Sequence, residues 1–133
     1  MRPEVNPDIV MSCTNTTFAD KTFDLILFDP PHRHFSKILR KKDRNDTGRR
    51  YGSMRAAEIK VFIPKAFREF SRILKDDGLV FFKWNSCSIR HKVIMGLIHG
   101  WFPVFGQNFN KIANHDTIWL AMRKDLSGVQ GVL

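Results

Sequence analysis

The chain has 133 residues, 43% of them hydrophobic and twelve of them Phe, which is enough apolar material for a real core in one domain and too little length for two. Its apolar runs are a few residues long, no secretory pattern follows Met1-Arg2-Pro3-Glu4, and Cys13 and Cys87 are too few and too far apart for a disulfide framework or a metal cluster. The expectation is a cytoplasmic, reduced protein with no membrane span and no bound metal. Net charge is +9, which favours polyanionic partners, nucleic acid (DNA or RNA) first among them.

Along the chain, residues 7–14 predict a short apolar strand and residues 18–22 a turn. The next strand, 23–29, is apolar on every residue from Leu25 to Phe28, the pattern of a strand covered on both faces of a parallel sheet. Pro30 and Pro31 end its ladder and fix two φ angles, so Asp29 is expected at the strand's carboxyl edge, where open α/β sheets place ligands.

Residues 33–53 have no period and read as a basic loop. Arg33, Lys37, Arg40, Lys41, Lys42, Arg44, Arg49 and Arg50 stand there against only Asp43 and Asp46, two thirds of the net charge excess in one segment. Coming directly after Asp29-Pro30-Pro31-His32, this loop is expected to overhang the same sheet edge and hold phosphates; a merely solvated loop is the alternative.

Apolar residues at helical spacing from Ile59 to Leu74 predict a helix, with Pro64 kinking it or opening its second half, and Asp76-Asp77-Gly78 predicts its stop. Leu79 to Trp84 reads as another apolar strand, and a helix capped by Ser88 is expected to run to about His99. Residues 102–109 and 117–123 predict two strands of an antiparallel hairpin, and Trp101 and Trp119 its core aromatics. The whole is an α/β fold, a mostly parallel sheet with an antiparallel carboxyl-terminal hairpin, in one domain spanning 1–133. Lys83 and Trp84 could line the cleft beside Asp29, with plain core packing the alternative for Trp84, and His34, His91, His99 and His115 show no ligand spacing.

With that order of elements, Asp29-Pro30-Pro31-His32, the run-in Phe18-Ala19-Asp20-Lys21-Thr22-Phe23-Asp24, the helix end Ile73-Leu74-Lys75-Asp76-Asp77-Gly78, Phe82-Lys83-Trp84-Asn85, Tyr51-Gly52 and Thr117-Ile118-Trp119 together resemble the carboxyl part of class I, Rossmann-like S-adenosylmethionine-dependent methyltransferases. The likeness is to the amino-methylating kind, in the phage and bacterial group with DPPH in place of DPPY, over roughly residues 7–124. It implies catalytic roles for Asp29, Pro30, Pro31 and His32. The Asp29 carboxylate and the Pro30 carbonyl would accept the two hydrogens of an exocyclic amine, adenine-N6 or cytosine-N4, and His32 would stack on the flipped base. It implies S-adenosylmethionine as cofactor, with Ser12, Cys13 and Asp29 nearest to it, Ser12 standing where relatives carry an acid against the adenine ring. Nucleic-acid contacts would come from the eight basic loop residues with Lys83 and Trp84.

The chain departs from the family at its start. No glycine precedes Gly48, so the two amino-terminal strands and the glycine loop that wraps the cofactor are expected to be absent, as in a truncated form, a chain completed by a partner, or one that has lost catalysis. Besides a methyltransferase, two other classes therefore stand: a non-catalytic nucleic-acid-binding module, and an assembly module in which two chains form a homodimer through the exposed sheet edge.

Overall fold

A computed structural model describes residues 6–32, 54–112 and 115–127. The basic loop, with Arg33, Lys37, Arg40, Lys41, Lys42, Arg44, Arg49 and Arg50, lies outside the described residues, as do Tyr51 and Gly52. The element order is β1 (Phe23–Phe28), α1 (Ala56–Ile73), β2 (Leu74–Asn85), α2 (His91–Met95), β3 (Trp101–Ile112) and β4 (His115–Lys124). The four strands form one sheet in the order β1-β2-β4-β3. β1 and β2 are parallel, with α1 as their crossover, while β4 is antiparallel to both β2 and β3. The sheet is thus mixed, not mostly parallel: the β3–β4 hairpin contributes two of its three pairings, because β4 folds back between β2 and β3.

The helix predicted from the 3.6-residue period forms as one continuous α1 through Pro64. At its start the Glu58 carboxylate accepts a hydrogen bond from the Arg55 N–H at 2.7 Å, supplying the acid that a helix N-terminus favours. Ile59, Ile63, Ala66, Phe67, Phe70 and Ile73 are its buried face. They meet Phe28, Val80, Phe82, Trp84 and Met122 of the sheet, and Ile94 of α2 joins the same cluster. Phe28 sits edge-on to Phe70 at 4.9 Å and to Phe67 at 6.1 Å.

Several expectations are corrected. Residues 7–14 form no strand; Ser12 makes an isolated bridge to Asn15, and the Ser12 hydroxyl accepts the Thr14 N–H at 3.3 Å, so short polar side chains turn the backbone locally. Ile9 and Val10 are exposed there. Helix α1 is not stopped by Gly78: β2 starts at Leu74, and the Phe23↔Leu74 and Leu25↔Leu79 pairs show the ladder bulging between them. Gly78 serves close approach instead, since a Cβ there would stand 2.7 Å from Leu74 Cγ and 3.0 Å from the Asp24 carbonyl oxygen. Helix α2 is shorter than expected, with Arg90 rather than Ser88 at its N-cap, and Gly100 takes a left-handed φ of 75° just before β3.

Among the described residues, strand β1 is covered on one face only. Phe28 faces α1, whereas Leu25 and Leu27 point the other way and are 48% and 71% exposed. No helix among the described residues is long and apolar enough to cross a membrane.

Candidate functional site

At the carboxyl end of β1 the chain leaves the sheet at Asp29, with Pro30 buried and Pro31 and His32 half-buried. The Asp29 side chain is 47% exposed and its Oδ2 lies 2.7 Å from Nζ of Lys83, which is 30% exposed. Lys83 Nζ also stands 5.6 Å from the Trp119 ring centroid, on a strand pair where Lys83 and Trp119 are direct partners. Asp29, Lys83 and Trp119 therefore form a row across three strands, an acid joined to a cation over an aromatic face.

Trp84 is on the opposite face. It is fully buried, its indole N–H donates to the Ile89 carbonyl at 2.8 Å, and its ring stacks on Phe82 at 6.1 Å. Successive strand residues point to opposite faces, so Lys83 and Trp84 cannot line one cleft, and the expected nucleic-acid contact from Trp84 is corrected: a ring with no exposed surface cannot stack on a base. What Trp84 does is support the rim from below. The His32 ring meets it edge-on at 6.3 Å, and the His32 carbonyl accepts the Cys87 thiol at 3.7 Å.

Beside this row lies a polar cluster that the sequence reading missed. Ser86 donates its hydroxyl to Asp116 Oδ1 at 2.8 Å and accepts the Asp116 N–H at 2.9 Å, and Asn108 donates its amide to Asp116 Oδ2 at 2.6 Å. His91 Nδ1 is 3.4 Å from Asp116 Oδ1. The Ser86 hydroxyl first, then the Asn108 amide, hold the Asp116 carboxyl below its usual range, with His91 adding to the effect against partial burial. Asn85 donates to the Thr117 hydroxyl at 2.8 Å and accepts the Cys87 N–H at 2.9 Å. A signal did exist, since Asn85-Ser86 directly follows an apolar strand and so stands at the same rim as Asp29.

Two cavities bear on the cofactor question. One of about 600 Å³ is lined by Thr14, Met54, Ala57, Glu58, Val61, Phe62 and Lys65, and the Phe62 ring lies 6.1 Å from Phe28, the residue before Asp29. The other, about 290 Å³, holds Cys13 among Met11, Phe18, Phe23, Leu25, Ile26 and Phe70. Burial there pushes the Cys13 thiol up. That cavity flanks the first half of β1, so Cys13 lies against the part of the strand remote from Asp29, and Ser12 spends its hydroxyl on Thr14 at 2.8 Å. Asp29, Lys83 and Trp119 come together, while the His32 ring packs on the Trp84 side of the sheet and Ser12 and Cys13 do not join them.

No family model matches the chain, and no curated protein does. Among solved structures the chain is similar to a SAM-dependent methyltransferase of the DUF858 family from Leishmania major, at 18% identity and a TM-score of 0.50. The match covers 86% of this chain and 44% of that one, so the chain spans less than half the length of that protein. At this identity the likeness shows the fold, a class I methyltransferase-like α/β arrangement.

Proposed function

We propose that the chain is the acceptor-binding part of an S-adenosylmethionine-dependent methyltransferase-like protein, of the kind that takes the exocyclic amino group of a nucleobase, adenine-N6 or cytosine-N4. The observation that carries this reading is the half-exposed Asp29 carboxylate at the strand rim, already holding a nitrogen at 2.7 Å, with Pro30, Pro31 and His32 beside it. An acid that accepts N–H hydrogens from Lys83 can accept them from an aromatic amine in the same place. Such a group conjugates its lone pair into the ring. Two acceptors, the Asp29 carboxylate and the Pro30 carbonyl, would hold both N–H hydrogens and draw the nitrogen toward tetrahedral geometry, which localises its lone pair and makes it more nucleophilic. By the family resemblance, His32, edge-on to Trp84, is the ring that would stack on the base. Lys83, displaced from Asp29 as the amine arrives, is free to meet a phosphate, a contact that positions without reading sequence.

The Cys13 cavity does not fit S-adenosylmethionine by itself. The cofactor's amino-acid and ribose groups call for polar partners and a close glycine backbone, whereas the Cys13 cavity is apolar and the Thr16 hydroxyl lining it is donated to Glu69 at 2.6 Å. Cofactor use rests on the fold likeness alone, and no transfer step is assigned to these residues. A second reading, a nucleic-acid-binding module without catalysis, is favoured by that same poor fit.

Binding of single-stranded DNA and RNA oligonucleotides tests the reading. Wild-type chain is expected to prefer strands containing adenine or cytosine over strands of thymine or uracil, with affinity falling steeply with salt, and Asp29→Ala is expected to remove the preference while leaving the salt slope. An affinity indifferent to both base and Asp29→Ala overturns it. Calorimetry with S-adenosylmethionine on the same protein separates the two readings: binding assigns the cofactor to this chain, and none leaves the acceptor site alone.

A further inference from the structure

The sheet face opposite α1 is apolar and uncovered by any described element. Its register joins one row across all four strands: Leu27 pairs with Phe81, Phe81 with Ala121, and Ala121 with Phe105. Leu25 and Leu79 pair in the next row. Leu27 is 71% and Phe105 66% exposed, and Phe81, Phe105, Gln107 and Trp119 border a hollow of about 270 Å³ over Ala121. Sheets that expose such a face bury it against another layer, at a spacing of about 10 Å.

We infer that a second copy of the chain covers this face, sheet against sheet, about a twofold axis running along the strands. The reason is the order of sizes in the row. Reversed by that axis, Leu27-Phe81-Ala121-Phe105 sets Phe81 over the partner's Ala121 and Leu27 against the partner's Phe105. At the two central positions large meets small, and the hollow over Ala121 receives the partner's Phe81. The nearby acids give no obstacle, since Asp24 is neutralised by Lys75 at 2.7 Å and Asp29 by Lys83 at 2.7 Å, both within one chain. Exposed Arg123 bounds the patch at its far end. The face is a better surface for self-association than the edge of β1, because the segment holding Met11, Cys13 and Phe18 lines a cavity against Phe23, Leu25 and Ile26 and so stands beside that edge. The axis leaves the two Asp29 rims at the same end of the pair, so a long polyanion can run across both. This inference does not rest on the methyltransferase reading.

Sedimentation equilibrium of the full chain across the micromolar range reads it out. A mass of two chains is expected for wild type. Leu27→Lys and Ala121→Phe are each expected to weaken association by about tenfold or more while thermal unfolding of the monomer stays cooperative. The exchange Phe81→Ala with Ala121→Phe in one chain again sets large against small and is expected to restore the dimer, which a merely structural role for either residue does not predict. A single-chain mass at every concentration overturns the inference and leaves the face to a different polypeptide, such as a strand and helix from outside these residues. A dimer indifferent to Leu27→Lys and Ala121→Phe overturns it as well.

Discussion

The two ends of the β1–β2 pair use charge in opposite ways. Below, where the chain enters β1, Glu69 is 10% exposed and each of its oxygens is occupied: it accepts the Thr16 N–H at 2.9 Å, the Thr16 hydroxyl at 2.6 Å and two Arg72 nitrogens at 2.6 and 3.2 Å. Arg72 in turn donates to the Phe18 carbonyl at 2.8 Å and to Asp20 at 2.7 Å. Above, at the rim, Asp29 and Lys83 share one contact and are half-exposed. The difference teaches which charges a fold can lend. A carboxylate satisfied by four donors is structural, because any visitor must break several bonds to reach it. A carboxylate with one mobile cation can exchange that cation for a ligand at little cost.

The largest expected effect comes from what lies under the rim. Trp84→Ala removes a fully buried indole and leaves the Ile89 carbonyl without its donor, so a loss of about 3–5 kcal/mol is expected in urea unfolding. A loss below about 1 kcal/mol would mean that the rim has no fixed support, and the contrast between the two ends would fail. Next is the lower knot: Glu69→Ala strands the Thr16 N–H, leaves Arg72 only its Asp20 and backbone partners, and is expected to cost about 2–3 kcal/mol in the same assay.

The pH dependence sharpens the same point. Hydrogen bonds from Arg72, then from Thr16, lower the Glu69 carboxyl from its ordinary 4.5 to about 2. A depressed carboxyl stabilises the folded state fully above its unfolded value, so this contribution is present above pH 4.5 and is lost as the pH falls toward about 2. Acid unfolding followed by circular dichroism is expected to show that loss in wild type and a shallower slope in Glu69→Ala. Identical acid profiles for the two proteins would show that Glu69 titrates normally and that the knot is loose.

Much of this was legible from residues, and the failures have physical causes. β1, its Pro-Pro stop and the exposed Asp29 followed from an apolar run and two fixed φ angles; α1 followed from its period; the terminal hairpin followed from two short runs joined by a polar turn. The strand at 7–14 was misread because a short apolar run carries no information about a partner, and Ser12 and Thr14 offered the backbone a turn instead. Gly78 looked like a helix stop and is a point of close approach, a distinction that needs the Asp24 carbonyl, 54 places earlier in the chain, to be placed in three dimensions. The Ser86–Asp116 pair spans 30 residues and could not be paired from spacing. Lys83 and Trp84 were placed in one cleft although strand alternation alone forbids it.

The smallest effect on stability is expected to be the most informative for function. Lys83→Met and Asp29→Asn each break one half-exposed ion pair, so each is expected to change unfolding free energy by less than about 1 kcal/mol, and the double variant to show a coupling of the same small size. Ligand binding should divide them. If Lys83 only occupies the amine position, Lys83→Met leaves Asp29 open and keeps the preference for amino-bearing bases while losing one unit of salt dependence, whereas Asp29→Asn keeps the salt slope and loses preference. A coupling of several kcal/mol would instead place Asp29–Lys83 with Glu69–Arg72 as a structural lock, and the rim would then have no exchangeable acid to offer an amine.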